Sequence, residues 1–192
     1  LFSVDRQSLN GDQTKLFPDP FFIAAWTTTP WTLPSNTALA VGEKIEYVLI
    51  ETYNPYTFQK QNILLASELI SKWFKPENEQ QDVLGEMVDK KIPYRIVRSA
   101  IRGSALEGIL YTPLFDYAKP DNGDAYKVLL GDFVSTEDGT GIVHIAPSFG
   151  ADDMRVAKKY GVGSLTLVDK QGRFTEEVYD FPHEYVKEDY LS

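Results

Sequence analysis

The sequence predicts a mixed α+β fold, in which a curled or barrel-like β-sheet forms the core and a few helices flank it. Many short apolar segments, rich in β-branched and aromatic residues, are separated by glycine and proline, which is typical of short strands. Only two or three segments have the spacing or the end signals of a helix. With 192 residues, 43% of them hydrophobic, the chain can bury the core of one domain, which we expect to cover residues 1–192.

The predicted strands follow one another along most of the chain. A polar segment at 1–20 comes first, and its Asn10-Gly11-Asp12 turn signal predicts a hairpin tip or a lead-in. A short apolar run at 21–26, bounded by prolines, predicts a buried strand, after which Pro30 and Pro34 exclude regular structure and predict a fixed loop. Further strands are predicted at 37–41, 45–52, 92–101, 126–134, 142–146 and 165–168.

Two helices are predicted between these strands. The first covers 66–74 and ends at a proline. The second runs from about 149 to 160, with Ser148 as its N-cap. Its first turn contains Asp152 and Asp153, where the helix macrodipole favours negative charge, and two glycines end it.

The composition excludes several classes of function. The formal net charge of −9 is opposite to what a domain needs if it holds nucleic acid by bulk charge. The chain has no cysteine, which removes disulfide scaffolds, zinc sites with cysteine ligands and thiol nucleophiles. The two histidines, His144 and His183, leave few possible members for a Ser/His relay or a His-rich metal site.

Neither a membrane span nor a signal peptide is predicted. The sequence contains no run of about 18 apolar residues, and its start lacks a basic stretch followed by an apolar one. The first residue is Leu rather than Met, so we expect the chain to be a piece of a longer protein.

Two segments concentrate polar side chains against apolar backbone held by glycine and proline, namely 26–36 and 139–153. Taken alone, the threonines of the first segment are more often explained by strand propensity than by a site, and Gly139-Thr140-Gly141 fits a turn better than a phosphate loop. His144 fits a core histidine in a strand. Asp153 is the acidic residue that leans toward packed side chains, as either a helix N-terminal charge or an anchor for a substrate ammonium.

The same two segments carry a resemblance to a known family. The Thr-Thr-Thr-Pro-Trp-Thr-Leu-Pro-x-Asn string and the Gly-Thr-Gly-Ile-Val-His-x-Ala-Pro-x-Phe-Gly-x-x-Asp string resemble the two signature stretches of the editing (CP1) domain of isoleucyl-tRNA synthetase, a class I synthetase. The resemblance covers about 21–187, which we expect to be the domain core, whereas 1–20 and 75–89 match nothing in it. The related valyl and leucyl domains resemble this one in fold but have Arg-Pro after the threonines, where this chain has Thr29-Pro30.

The resemblance implies roles for particular residues. Asp153 is similar to the carboxylate that binds the α-ammonium of the aminoacyl group, and His144 to the residue that limits the pocket and keeps isoleucine out. The catalytic residues that it implies are Thr28, Thr29, Asn36 and Asp153. The substrate-binding residues that it implies are Thr27, Trp31, His144, Phe149 and Asp153. The threonines and Asn36 would donate hydrogen bonds to the terminal adenosine, the ester carbonyl or the attacking water, without a resolved division of labour.

By resemblance, such a domain hydrolyses valine wrongly attached to isoleucine tRNA, with valyl-adenylate as a further substrate to consider. One missing methylene is worth only about 1–3 kcal/mol in an apolar pocket, a general figure for which isoleucyl-tRNA synthetase itself is the usual example. The expected partners are the 3′ end of aminoacylated tRNA for isoleucine and the rest of a cytoplasmic parent synthetase. No metal or cofactor is implied for this domain, since ATP and Mg²⁺ serve the parent enzyme.

Two alternatives remain open from the sequence. A valyl-type editing domain would clear threonine and would need a pocket that hydrogen-bonds a hydroxyl. A non-catalytic module would bind the aminoacylated 3′ end without turnover, but it would have no need of an ammonium anchor beside a size-limiting histidine.

Overall fold

The computed structural model describes residues 1–17, 19–87 and 91–186 of the chain. The strands are β1 (Phe2–Ser3), β2 (Phe22–Ile23), β3 (Ala38–Val41), β4 (Glu46–Tyr53), β5 (Lys60–Ala66), β6 (Tyr94–Arg102), β7 (Lys127–Leu130) and β8 (Ile142–Ile145). The helices are α1 (Gly11–Leu16), α2 (Ile70–Trp73) and α3 (Ala151–Tyr160). Short 3₁₀ segments lie at Arg6–Ser8, Pro30–Ser35, Ser67–Leu69, Pro76–Asn78 and Gly103–Leu106.

The strands form two mixed sheets. One sheet has five strands in the order β1-β2-β5-β4-β6, and the other has three in the order β7-β3-β8. In the smaller sheet the central strand β3 runs parallel to β7 and antiparallel to β8. The predicted α+β class is confirmed. The description "barrel-like" fits only loosely, because both sheets are open and the described residues form no closed barrel.

The central strand β3 is buried on both faces, which explains its uninterrupted apolar sequence. Leu39 and Val41 belong to the large core cluster shared by the two sheets. Ala38 and Ala40 face the opposite way and pack with Val156 of α3. Small alanine side chains allow a helix to approach the sheet closely, so α3 packs against this face of the smaller sheet.

Most of the predicted strands are confirmed, but four segments differ. The strand predicted at 21–26 is shorter, since β2 covers only Phe22–Ile23 and Trp26 makes an isolated bridge. Strand β5 was not predicted, because its first half is polar and only the Ile63-Leu64-Leu65 run in its second half is apolar. The strand predicted at 126–134 is shorter, since β7 ends at Leu130. The strand predicted at 165–168 is wrong, because this segment makes only an isolated bridge between Val168 and Phe174.

The turn predicted at the start of the chain is wrong as well. The Asn10 side chain accepts hydrogen bonds from the backbone N–H groups of Asp12 and Gln13, and the Gln13 side-chain oxygen accepts the backbone N–H of Asn10. This capping box begins α1 instead of a hairpin. The first residues are therefore a lead-in that adds β1 antiparallel to β2.

The predicted helix at 66–74 is confirmed, with a first turn in 3₁₀ geometry ahead of α2. In the described ranges no helix is long and apolar enough to cross a membrane. The predicted domain limits stay a prediction, and residues 187–192 lie outside the described part of the chain.

Candidate active site

The fold brings the two polar segments of the sequence side by side. After β2 the chain reaches Trp26, which makes a parallel bridge to Val143 of β8 and donates its backbone N–H to Ile142. The threonines that follow therefore lie next to the end of β8, where the chain leads into α3. Both signature segments contribute to one cavity of about 420 Å³.

The cavity contains most of the residues that the sequence singled out. Those lining it are Trp26, Thr27, Thr28, Thr29, Trp31, Thr32, Val143, His144, Phe149, Gly150 and Asp153. Asn36 is the exception. It is buried, its Nδ2 donates to the carbonyl of Ala38 (2.8 Å), and its Oδ1 accepts from the hydroxyl of Tyr111 (2.7 Å). Asn36 therefore fixes the backbone where β3 begins, and this geometry gives no support to the substrate contact predicted for it.

The threonine loop is ordered by its own hydroxyls. Contrary to the expectation of a loop without regular structure, Pro30–Ser35 forms a 3₁₀ segment with proline at its first turn. The Thr27 hydroxyl accepts the backbone N–H of Thr29 (3.0 Å), and the two hydroxyls are 3.3 Å apart. Thr28 is exposed, and its hydroxyl makes no hydrogen bond to any residue of the described ranges. It can therefore donate to a bound ligand.

Thr32 connects this loop to His144. The Thr32 hydroxyl lies 2.8 Å from the carbonyl of Thr29 and 2.9 Å from Nε2 of His144. A carbonyl can only accept, so the Thr32 hydroxyl uses its single proton in the hydrogen bond to the Thr29 carbonyl. The contact with His144 is then a hydrogen bond only if Nε2 donates to the Thr32 oxygen. His144 then has its proton on Nε2 and a bare Nδ1. No role was predicted for Thr32, although it lies three residues after Thr29, which is the spacing of a 3₁₀ turn.

His144 is a neutral side chain at neutral pH. It is 7% exposed, and its Nδ1 has no hydrogen-bond partner in the described part of the chain. Burial lowers the pKa of His144 to about 4, because the charged imidazolium would lose its hydration. The position combines the two interpretations considered from the sequence, since the ring is packed as in a core and also lines the cavity.

The buried histidine makes a specific contribution to acid sensitivity. Below pH 6.5, the ordinary pKa of histidine, His144 binds a proton in the unfolded chain, whereas in the folded chain it stays neutral down to about pH 4. The free energy of unfolding is therefore fully retained above pH 6.5 and is lost as the pH falls toward 4, by roughly 2–3 kcal/mol at about pH 4.5. Urea unfolding of His144→Gln should show a correspondingly smaller loss between pH 7 and pH 4.5 than the native chain.

The exposed His183 supplies the control for this prediction. The matched variant is His183→Gln, which removes the other imidazole of the chain from a side chain that is 60% exposed. If His144→Gln and the native chain lose equal stability on acidification, His144 is not held neutral in the folded protein.

The two adjacent carboxylates of α3 have different surroundings, as the helical spacing predicted. Asp152 pairs with Arg155 at 3.0 Å on the surface, and Arg155 also binds Asp132 at 2.8 Å. Asp153 turns inward, where its Oδ2 accepts the backbone N–H of Ala146 (2.9 Å). Among the described residues it has no ion-pair partner. Burial raises the pKa of Asp153, which is the mark of a carboxylate lacking a cation.

A glycine makes room for this carboxylate. The N-cap of α3 is Gly150, not the Ser148 that the sequence suggested, and the Ser148 hydroxyl instead lies 2.6 Å from that of Thr166. A Cβ at Gly150 would lie 2.9 Å from both Cγ and Oδ1 of Asp153. Such a contact forces the carboxylate to move, so the missing side chain sets where Asp153 points.

The arrangement can bind a cation and position water, but it has no activated side-chain nucleophile. Nε2 of His144 donates to Thr32 and cannot take a proton from it. The carboxylate of Asp153 and the hydroxyls of Thr28 and Thr29 can hold an ammonium group and polar atoms of a ligand. In the described ranges no group of three or more His, Asp or Glu side chains is arranged to hold a metal ion.

Comparison with known proteins identifies the class of fold first. No family model matches the chain. A solved structure described as GlLeuRS-CP1 superimposes with a TM-score of 0.55 at 17% identity, over 83% of this chain and 62% of that one. The chain thus has the fold of a CP1 editing domain.

Sequence relatives then identify the family. Isoleucine–tRNA ligases from Cytophaga hutchinsonii, Porphyromonas gingivalis and Treponema denticola are 53%, 49% and 40% identical over 92%, 83% and 89% of this chain. The chain belongs to the isoleucine–tRNA ligase family and corresponds to its editing-domain region. It spans 17%, 14% and 15% of the length of these three relatives.

Proposed function

We propose that the chain hydrolyses valine from wrongly charged isoleucine tRNA. The observation that carries this proposal is the single cavity in which an inward carboxylate without a cation, a neutral histidine and a run of threonine hydroxyls meet. An aminoacyl ester offers groups that match them, namely an α-ammonium, a small side chain and an ester carbonyl beside ribose hydroxyls. Homology to isoleucine–tRNA ligases supports tRNA as the carrier of that ester.

Asp153 is the proposed anchor for the substrate. A charge-assisted hydrogen bond from the α-ammonium to its carboxylate would offset the cost of leaving this half-buried carboxylate without a cation. Because the Ala146 N–H holds one oxygen, the other can face the ligand at a fixed place. The anchor thus sets the position of the ester carbonyl within the cavity.

Attack by a positioned water is the proposed chemical step. The water oxygen adds to the ester carbonyl carbon, and the bond to the ribose oxygen breaks to release valine and the free 3′ end. The hydroxyls of Thr28 and Thr29, which line the cavity, would hydrogen-bond the carbonyl oxygen or the water. The neighbouring ribose hydroxyl would give its proton to the leaving oxygen and regain one from the attacking water, so the proton of the water ends on the released 3′ end. We propose no covalent intermediate, since the described cavity has no nucleophile with a base beside it.

His144 is the proposed size limit. Its ring is fixed by the hydrogen bond from Nε2 to Thr32, and rigid walls are what allow a pocket to reject one extra methylene. A site that admits valine and excludes isoleucine would complete a double sieve with a synthetic site elsewhere in a longer protein. The residue thus acts on selectivity and not on the water.

The proposed partners are the aminoacylated 3′ end of the tRNA and the remainder of a cytoplasmic synthetase. A net charge of −9 suits a domain that receives only the end of the RNA, because extensive phosphate contacts need a basic surface. We propose no cofactor for the hydrolysis itself.

Turnover separates this proposal from the alternatives. With Val-tRNA, Thr-tRNA and excess chain, the editing proposal expects first-order release of valine to completion. A passive binding module would protect the ester and release nothing beyond the spontaneous rate. Faster release of threonine than of valine would support the valyl-type alternative, which needs a hydroxyl-binding pocket.

Gly150 gives a test of the anchor that leaves the carboxylate in place. In Gly150→Ala the added Cβ displaces Asp153, so valine release should fall about ten- to a hundredfold, mainly through a raised KM. The matched control is Gly11→Ala, where a Cβ meets nothing within 4 Å. If Gly150→Ala has unchanged kinetics and circular dichroism shows an intact fold, the missing side chain at Gly150 does not contribute to substrate binding.

A further inference from the structure

A second cavity of about 380 Å³ adjoins the proposed active site. Trp26 lines both cavities, so its indole forms part of the wall between them. The second cavity is predominantly apolar, and the aromatic residues that line it besides Trp26 are Tyr53, Tyr56, Trp73 and Phe74. Trp26 and Trp73 are each 45% exposed, which is unusual for the largest apolar side chain.

The two tryptophans form a fixed aromatic surface, which we call the Trp26–Trp73 platform. Their ring centroids are 5.1 Å apart with planes tilted by 55°. The Trp73 indole N–H donates to the carbonyl of Gly139 at 2.9 Å. Gly139 has φ +69°, and a Cβ there would lie 3.0 Å from Trp26, so this glycine lets the indole pack on the backbone. The platform is therefore held in place before any ligand arrives.

The charge of the chain defines what such a platform can bind. Proteins that hold single-stranded nucleic acid combine basic side chains along the backbone with aromatic rings on which the bases stack. This chain has nine more acidic than basic side chains, and Lys72 beside the platform is already paired with Asp138 at 3.6 Å. With so little basic charge on the chain, an RNA end entering here would gain most of its affinity from stacking, although Lys60, 5.7 Å from the centroid of the Tyr53 ring, is a basic group near the cavity.

We propose that the Trp26–Trp73 platform stacks the nucleotide that precedes the terminal adenosine of the aminoacylated RNA. This inference rests on the proposed function, since it takes the ester to lie in the cavity with Asp153 and His144. A ribose in that cavity would have the wall formed by Trp26 beside it, and Trp73 lies one ring farther on. A platform of this kind accepts any base, because every base has a face that can stack on an aromatic ring.

Two substrates distinguish stacking from catalysis. Valyl-adenosine carries the ester without a preceding nucleotide, whereas Val-tRNA for isoleucine carries both. Trp73→Leu should raise the KM for Val-tRNA about tenfold, the effect of losing one base stack, and should leave valyl-adenosine hydrolysis unchanged. Trp73→Phe is the matched control, because it also loses the hydrogen bond to Gly139 but keeps an aromatic face. It should retain a KM within about threefold of the native value.

Three results would overturn the inference. They are an unchanged KM for Val-tRNA in Trp73→Leu, an equal loss with both substrates, and equal losses in Trp73→Leu and Trp73→Phe. The first would show that Trp73 does not contribute to binding of the RNA, and the last would indicate a shift of the Gly139 backbone. If the native chain hydrolyses neither substrate, the proposed function fails. Titration with a CCA trinucleotide then tests the platform separately. Binding to the native chain that is lost in Trp73→Leu would support the platform, and no binding to the native chain would contradict it.

Discussion

Replacement of Asp153 by Asn should lower the rate of valine release from Val-tRNA by about a hundredfold or more, the scale expected when a buried charged contact loses one partner. The amide keeps the volume and can still accept the Ala146 N–H, so the fold should persist. What disappears is the negative charge opposite the α-ammonium. The measurement is single-turnover deacylation, with thermal unfolding to verify that the variant is folded.

The neighbouring carboxylate is the matched control. Asp152→Asn removes the same charge one residue away, on a side chain that pairs with Arg155 at the surface. It should release valine at close to the native rate. Comparable losses in both variants would show that the charge of the first turn of α3, rather than an anchor at Asp153, governs the reaction.

The second large effect is expected on selectivity. His144→Ala removes the imidazole from the cavity wall and should admit the extra methylene of isoleucine, so that Ile-tRNA is also cleaved. Since one methylene is worth about 1–3 kcal/mol, the valine-to-isoleucine rate ratio should fall by about ten- to a hundredfold. The rate with Val-tRNA should change less, because His144 donates to Thr32 and is not the base for the water.

Parallel time courses with the two aminoacyl-tRNAs measure this ratio. His183→Ala, which removes the exposed histidine, should leave the ratio unaltered. If His144→Ala still rejects isoleucine while cleaving valine, the size limit lies with another wall of the cavity. Trp31 and Val143 would then be the residues to test.

The sequence predicted those strands and helices in which the apolar residues form an uninterrupted run or a regular helical spacing. The apolar run of β3 and the glycine and proline that bound β8 identified two neighbouring strands of the smaller sheet, and helical spacing separated Asp152 from Asp153. The sequence was less informative at β5, whose Lys60-Gln61-Asn62 start is polar because that end of the strand is partly exposed. The order of strands in the two sheets depends on contacts between distant segments, which no local pattern encodes.

The site shows the same division. Threonines, histidine and aspartate were identified from two linear strings, and the cavity unites them. Asn36 belongs to the first of these strings, yet its amide is hydrogen-bonded to Ala38 and to Tyr111, and Tyr111 lies 75 residues away in the sequence. The proton position on His144 follows from the Thr32 and Thr29 contacts, and the space for Asp153 follows from Gly150. Such roles depend on distances of a few tenths of an ångström, so only the folded arrangement reveals them.

The most direct test of the central claim compares valine and isoleucine on the same isoleucine tRNA, with the native chain in excess at low salt. We predict complete first-order release of valine, while isoleucine stays attached at close to its spontaneous rate of loss. Equal release of both amino acids would contradict the size limit at His144, and no release of valine would contradict hydrolysis by this cavity.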